Sequence, residues 1–142
     1  MPTEFAVGVY ETLHEAGREF GLIDAGKSEL DALRIEKGFR AWGRELTPDI
    51  NPWQAGLSFA VAMDKPGGFI GRDALAAAKL SAPAKRIVLF TLDDAEPMLW
   101  GGELILRDGK PVGEVRSAAY GQTLSRSVAL GLIENEAGVD AA

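Results

Sequence analysis

Apolar residues recur at three- and four-residue steps between Glu4 and Phe20, where Phe5, Val9, Leu13, Ala16 and Phe20 fall on one stripe. That spacing predicts an amphipathic helix with one buried face. Gly21, just after Arg18 in the last turn, supplies the stop. A second helix is predicted from Ser28, a candidate N-cap with Asp31 as an imperfect capping partner, through Leu30, Leu33 and Ile35 to Gly38. From Phe39 to Phe69 the helical period disappears. Trp42, Trp53 and Phe59 are interspersed with turn residues (Gly43, Pro48, Asn51-Pro52, Pro66-Gly67-Gly68), the pattern of a long structured connection that carries a binding surface. Asn51-Pro52 reads as a turn or helix start, and Leu57 to Met63 as a short buried strand. A third helix is expected over Arg72 to Leu80.

After Pro83 the period changes to that of strands. Arg86 to Leu92 is rich in β-formers, Glu103 to Arg107 and Val112 to Ser117 flank the hairpin signal Asp108-Gly109, and Ser127 to Glu134 is the last clear strand. The fold class is therefore α+β, an N-terminal helical segment followed by a small antiparallel β-barrel that is incomplete. Residues 1–82 form the helical part and residues 83–142 the barrel part. No further strand is expected in the segment before Ala142 to close the sheet, and an unclosed edge favours self-association.

Composition removes whole classes of function. The net charge is −6, with 15 basic residues scattered among 21 acidic ones, so no basic surface for nucleic acid is present. There is no cysteine, which excludes disulfides, thiolate nucleophiles and Cys-based zinc sites. His14 is the only histidine, so neither a Ser-His-Asp triad nor a two-His metal site is available. No apolar run approaches the roughly 20 residues of a membrane span, and the N-terminus lacks a basic region leading into an apolar stretch. A soluble, cytoplasmic protein is expected on these grounds.

The run Arg34-Ile35-Glu36-Lys37-Gly38-Phe39-Arg40-Ala41-Trp42-Gly43-Arg44-Glu45-Leu46 resembles a signature of the glycine-cleavage T-protein (aminomethyltransferase) family, in the version fused to dimethylglycine and sarcosine dehydrogenases. Asn51-Pro52, Ala55-Gly56-Leu57, Asp64-Lys65, Phe69-Ile70-Gly71-Arg72 and Ala74-Leu75 follow in the same order. Gly113 to Ala118 and Ser127 to Gly131 resemble a strand pair of that family's C-terminal barrel. The resemblance implies a three-domain ring with tetrahydrofolate in its central opening. There, a one-carbon unit from a methylamine donor is captured on folate, after a separate flavin (FAD) domain upstream has oxidised the amine. The family's catalytic aspartate, and the Tyr and Glu that grip the pterin, match nothing in this chain, so no catalytic residue is assigned. Leu30 stands where the glycine-cleavage branch carries an Arg, which agrees with the dehydrogenase-fused branch. The chain is expected to be cut at both ends, inactive alone, and to bind tetrahydrofolate weakly or not at all. The alternative is a non-catalytic structural or interaction module of the same descent.

The candidate folate-binding residues are Phe39, Arg40, Trp42 and Tyr120. Phe39 and Trp42 offer flat aromatic walls, Arg40 or Arg44 a charge for the glutamate tail, and Tyr120, in a loop beyond the strand ending at Ser117, a lining for the opening. Set against this, Trp42 could anchor the connection on the core, and Tyr120 could be a packed residue with a wet hydroxyl. Arg34 and Glu36 are expected to pair and hold the helix end. His14 reads as an exposed helical histidine, and Asp93, Asp94 and Glu96 as a solvated acidic loop without calcium-loop spacing. Gly67-Gly68 lacks the Lys-Ser/Thr of a phosphate loop. No metal site is assigned.

Overall fold

The computed structural model describes residues 1–134. Two compact units are distinct, Met1–Leu30 and the remainder from Asp31 onward.

In the first unit, a 3-10 turn at Thr3–Phe5 leads into α1 (Ala6–Gly17), and a second at Arg18–Phe20 leads out of it. The predicted stop is where the sequence puts it. Gly21 adopts φ 71°, Leu22 N–H donates to Gly17 O and Gly21 N–H to Arg18 O, closing the helix end through a left-handed glycine. The apolar stripe is present but no residue of α1 is buried, contrary to the expected buried face. Tyr10 donates its hydroxyl to Asp24, 2.9 Å away, and His14 Nε2 lies 3.7 Å from the same carboxylate, so the lone histidine is part-exposed and tethered.

The second unit is built on four antiparallel strands: β1 (Lys85–Thr91), β2 (Leu104–Arg107), β3 (Lys110–Gly121) and β4 (Arg126–Glu134). Their order is β1-β4-β3-β2, with β1 and β2 at the edges, so the sheet is open among the described residues, as an incomplete barrel should be. Asp108 and Gly109 both take positive φ, 52° and 73°, the primed turn that matches the twist of a hairpin. The register puts Ile87, Leu89 and Thr91 opposite Leu132, Leu130 and Val128, on one face. Ile35 of α2 (Lys27–Glu36) packs there with Ile87, Val128, Leu130 and Leu132 to form the core. Full burial of side chains such as Ile35 and Leu130 stabilises the unit by about 1.5–3 kcal/mol each.

Two expectations change. Leu57 to Met63 is not a strand: Ser58–Ala60 is a 3-10 turn and Phe59 is exposed. Gly56 (φ 69°) turns the backbone just before it, and no neighbouring strand supplies the pairing an apolar run would need. Second, β3 does not end at Ser117 but continues to Gly121, across an irregularity between Val115 and Ser117. α3 (Arg72–Ala78) is slightly shorter than expected. Asn51 and Gln54 close the predicted turn by exchanging side chain-to-backbone hydrogen bonds at 2.9 Å.

Candidate functional site

The end of α2 sets up the connection that follows it. Gly38 takes φ 67°, Gly38 N–H donates to Ile35 O and Phe39 N–H to Arg34 O, so the chain leaves the helix through a second left-handed glycine. The next residues fold on themselves. Leu46 N–H reaches Ala41 O, Gly43 N–H reaches Leu46 O, and Gly43 takes φ 82°. This tight loop holds Phe39 and Trp42 outward, Trp42 being 75% exposed. Phe39, 65% exposed, and Trp42 therefore stand outside the core of this unit.

What ties the loop down is buried charge. The Arg34 guanidinium donates from Nη1 to Glu45 Oε2 (2.8 Å) and to Phe39 O (3.2 Å), from Nη2 to Ser117 Oγ (2.8 Å), and from Nε to Asp31 Oδ1 (3.3 Å). Glu45 Oε2 also accepts from Ala41 N–H at 2.8 Å. The Glu45 side chain has no exposure and that of Arg34 only 10%. One cation thus joins the helix, both ends of the loop and strand β3. The predicted Arg34–Glu36 pair does not form. Residues two apart on a helix point to different sides, and Glu36 instead accepts from Thr123 N–H (2.9 Å) and Thr123 Oγ1 (3.1 Å).

Arg40 is turned inward. Its Nη1 donates to Gly38 O, and its guanidinium lies so close to Gly56 that a Cβ there would sit 3.1 Å from Nη2. Burial lowers its pKa from the usual arginine value, Glu45 opposes that shift and Arg86 adds to it; the group stays cationic. Arg40 Nε and Glu45 Oε1 are buried without a hydrogen-bond partner among the described residues. Beside Glu45 lies a hollow of about 190 Å³ bordered by Arg44, Thr47, Asp49, Ile87, Arg116 and Glu134. It is smaller than the roughly 300–1,000 Å³ of ordinary small-molecule clefts.

Tyr120 is elsewhere. It lies within β3, not in a loop beyond it, and pairs with Ser127. Ser117, Ala119 and Gly121 pair with Leu130, Val128 and Arg126 on the face that Ile35 covers, so Tyr120 stands on the other face. The structure therefore gathers Phe39, Arg40 and Trp42 in one loop and leaves Tyr120 apart from them. Sequence reasoning missed Glu45 and Ser117 as the partners of Arg34. An acidic residue inside an aromatic- and glycine-rich turn, within reach of a helical Arg, was the available signal. Among the described residues no cluster of three or more His, Asp or Glu could hold a metal, and no helix is long and apolar enough to cross a membrane.

This geometry occurs in a chain whose two parts match two models of one family. Residues 1–65 match the GCVT N-terminal domain, and residues 85–141 the glycine cleavage T-protein C-terminal barrel domain. The chain belongs to the glycine cleavage T-protein family. It is 44% identical over 134 residues to 4-methylaminobutanoate oxidase (formaldehyde-forming) of Paenarthrobacter nicotinovorans, a match covering 94% of this chain and 16% of that protein. It is 40% identical over 138 residues to the mitochondrial sarcosine dehydrogenase of Homo sapiens, covering 97% and 15%. The glycine cleavage system aminomethyltransferase T of Bartonella henselae shares the fold with a TM-score of 0.76 at 27% identity, over 94% of this chain and 37% of that one. The chain is thus an aminomethyltransferase-like region, and it spans about one sixth of the length of these two oxidising relatives. The cytoplasmic location expected from composition is not upheld, because the human sarcosine dehydrogenase it resembles is a mitochondrial protein. Charge and the lack of an apolar segment do not distinguish one aqueous compartment from another.

Proposed function

We propose that this chain supplies part of the wall of a tetrahydrofolate site in an aminomethyltransferase-type domain of a dehydrogenase-like protein. The observation that carries the reading is the Phe39–Trp42 loop, where open aromatic faces are fixed by a buried Arg34–Glu45 pair inside a family signature. Phe39 and Trp42 would stack on the flat pterin or benzoyl group. Exposed Arg44 would meet the glutamate tail more readily than Arg40, whose guanidinium is folded back on Gly38. Tyr120, on the other sheet face, lies outside this group. When bound, tetrahydrofolate supplies the amine nitrogens that accept a one-carbon unit from a methylamine donor. The loop's part is to orient it and exclude water from a hydrolysable electrophile. Oxidation of the amine, the step of an FAD domain, is assigned to no residue here.

On the same reading the helical part is residues 1–82 and the barrel part 83–142, and the chain alone binds folate weakly. The exposure of Phe39 and Trp42 supports this, because a pterin needs more wall than two open aromatic faces provide. The test is 19F NMR of the chain carrying 5-fluorotryptophan at its three Trp positions, titrated with tetrahydrofolate. The Trp42 signal should shift with millimolar affinity while that of Trp53, whose indole N–H is held by Leu75 O, stays put. Micromolar binding would refute the incomplete wall, and an unmoved Trp42 signal would refute the folate-facing loop.

One observation favours a second reading, a non-catalytic interaction module. Edge strand β2 leaves Leu104 and Leu106 exposed, and an open apolar edge can pair with a second copy. Concentration-dependent dimerisation in sedimentation velocity, abolished by Leu104→Lys, would support it.

A further inference from the structure

The Arg34 network does something the folate reading does not require of it. Loop residues 38–46 carry few apolar anchors: Phe39, Trp42, Gly43 and Arg44 are exposed, and Glu45 is the buried side chain of the second half. Burial alone therefore does not fix where the aromatics point. Backbone hydrogen bonds close the turn on itself, and three side-chain contacts that tie it to the rest of the unit run through one guanidinium. Nη1 takes Phe39 O at the start of the loop and Glu45 at its end, and Nη2 takes Ser117 of the sheet. Glu45 adds a fourth by accepting from Ala41 N–H, immediately before Trp42. The anchor on the sheet is itself displaced. Val115 pairs with Gly131 but Ser117 with Leu130, so Arg116 is an extra residue in β3. That bulge reverses the alternation and puts the Ser117 hydroxyl on the face of α2, where unbroken alternation with Val115 would have put it on the far face.

We propose that Arg34, Glu45 and Ser117 are positioning residues that set the orientation of Phe39 and Trp42 for ligand binding. The inference rests on the folate-facing loop proposed above. A planar fork with donors on both terminal nitrogens is needed; a lysine keeps the charge but reaches one acceptor at a time. The bulge at Arg116 is part of the same device, because it delivers the third contact.

The test compares Arg34→Lys, Ser117→Ala and Ser117→Thr in the 142-residue chain, each labelled with 5-fluorotryptophan. In Arg34→Lys and Ser117→Ala the Trp42 resonance should shift or broaden while those of Trp53 and Trp100 hold, and the apparent tetrahydrofolate Kd should rise about tenfold, the scale of re-ordering a loop on binding. Ser117→Thr, which keeps the hydroxyl, should restore both. Two results overturn the proposal: a Trp42 resonance unchanged in both variants, or equal changes at all three Trp accompanied by a lowered Tm, which marks a purely structural pair. A Trp42 resonance that responds to the variants but never to tetrahydrofolate upholds the positioning and refutes the folate reading instead.

Discussion

Two loops of this molecule display an exposed tryptophan, and each is held by a glutamate that accepts two hydrogen bonds, yet they are built on opposite principles. Trp42 is held by Glu45, buried, paired with Arg34 and tied through it to β3. Trp100 is followed by Glu103, whose carboxylate accepts from Trp100 N–H at 2.8 Å and Gly101 N–H at 2.9 Å and is part-exposed, with no cation beside it among the described contacts. The two tryptophans are 75% and 78% exposed, so the display is the same and only the holder differs. A buried charge pair defines geometry at the risk of a large penalty if one partner is lost. A wet carboxylate on backbone amides shapes a turn locally, with little at stake for the rest of the fold.

The contrast is broken most severely at Glu45. Glu45→Ala leaves the Arg34 guanidinium buried beside an empty place and should destabilise the unit by about 3–5 kcal/mol, read as a lowered urea midpoint at unchanged m-value. Arg34→Leu with Glu45→Leu together should cost clearly less than Glu45→Ala alone, because no fully buried charge is then left without its partner; Asp31, which also contacts Arg34, is 24% exposed. If the double substitution costs as much or more, the pair itself supplies the stability and its role as an orienting device loses its physical basis.

Ser117→Ala comes next. It removes one hydrogen bond to a charged donor at a position with no exposure, and about 1.5–3 kcal/mol is expected from chemical denaturation. Substituting Trp42 should do little by the same measure. Trp42→Ala removes a side chain that is mostly in water, so stability should change by less than about 0.5 kcal/mol while the response to tetrahydrofolate is lost. A large loss of stability in Trp42→Ala would mean that the ring anchors the connection, the competing reading of this residue.

Much of this was legible in the chain itself, and the failures have physical causes. Gly21, Gly38 and the Asp108-Gly109 turn were readable because left-handed backbone is strongly tied to residue type. The strand pattern was readable because β1 and β4 are rich in β-branched and apolar residues. Leu57 to Met63 misled because a short apolar run carries no information about whether a partner strand exists. Tyr120 was misplaced because Arg116 interrupts the alternation and the small residues Ser117, Ala118 and Ala119 carry no clear period. The Arg34–Glu45 pair spans 11 residues and Arg34–Ser117 spans 83, separations at which local spacing says nothing.

The smallest effect belongs to Glu103, and it carries the comparison into pH. The Trp100 N–H pulls the Glu103 carboxyl below its ordinary value of 4.5; burial opposes it, and the amides of Glu103 itself and Gly101 add to the lowering. A carboxyl lowered in the folded state binds its proton more readily unfolded, so its contribution is complete above that ordinary value and drains away as pH falls through the lowered folded one. The carboxylate is solvent-screened, so the whole effect should stay under about 0.5 kcal/mol. It should therefore appear not in global stability but in the Trp100 19F resonance, which should move with a midpoint below the ordinary carboxyl value of 4.5 and stop moving in Glu103→Gln. Trp42 provides the internal control. If its resonance moves over the same range with the same midpoint as that of Trp100, the two loops share one acid transition, and the distinction between a buried holder and a wet one does not survive.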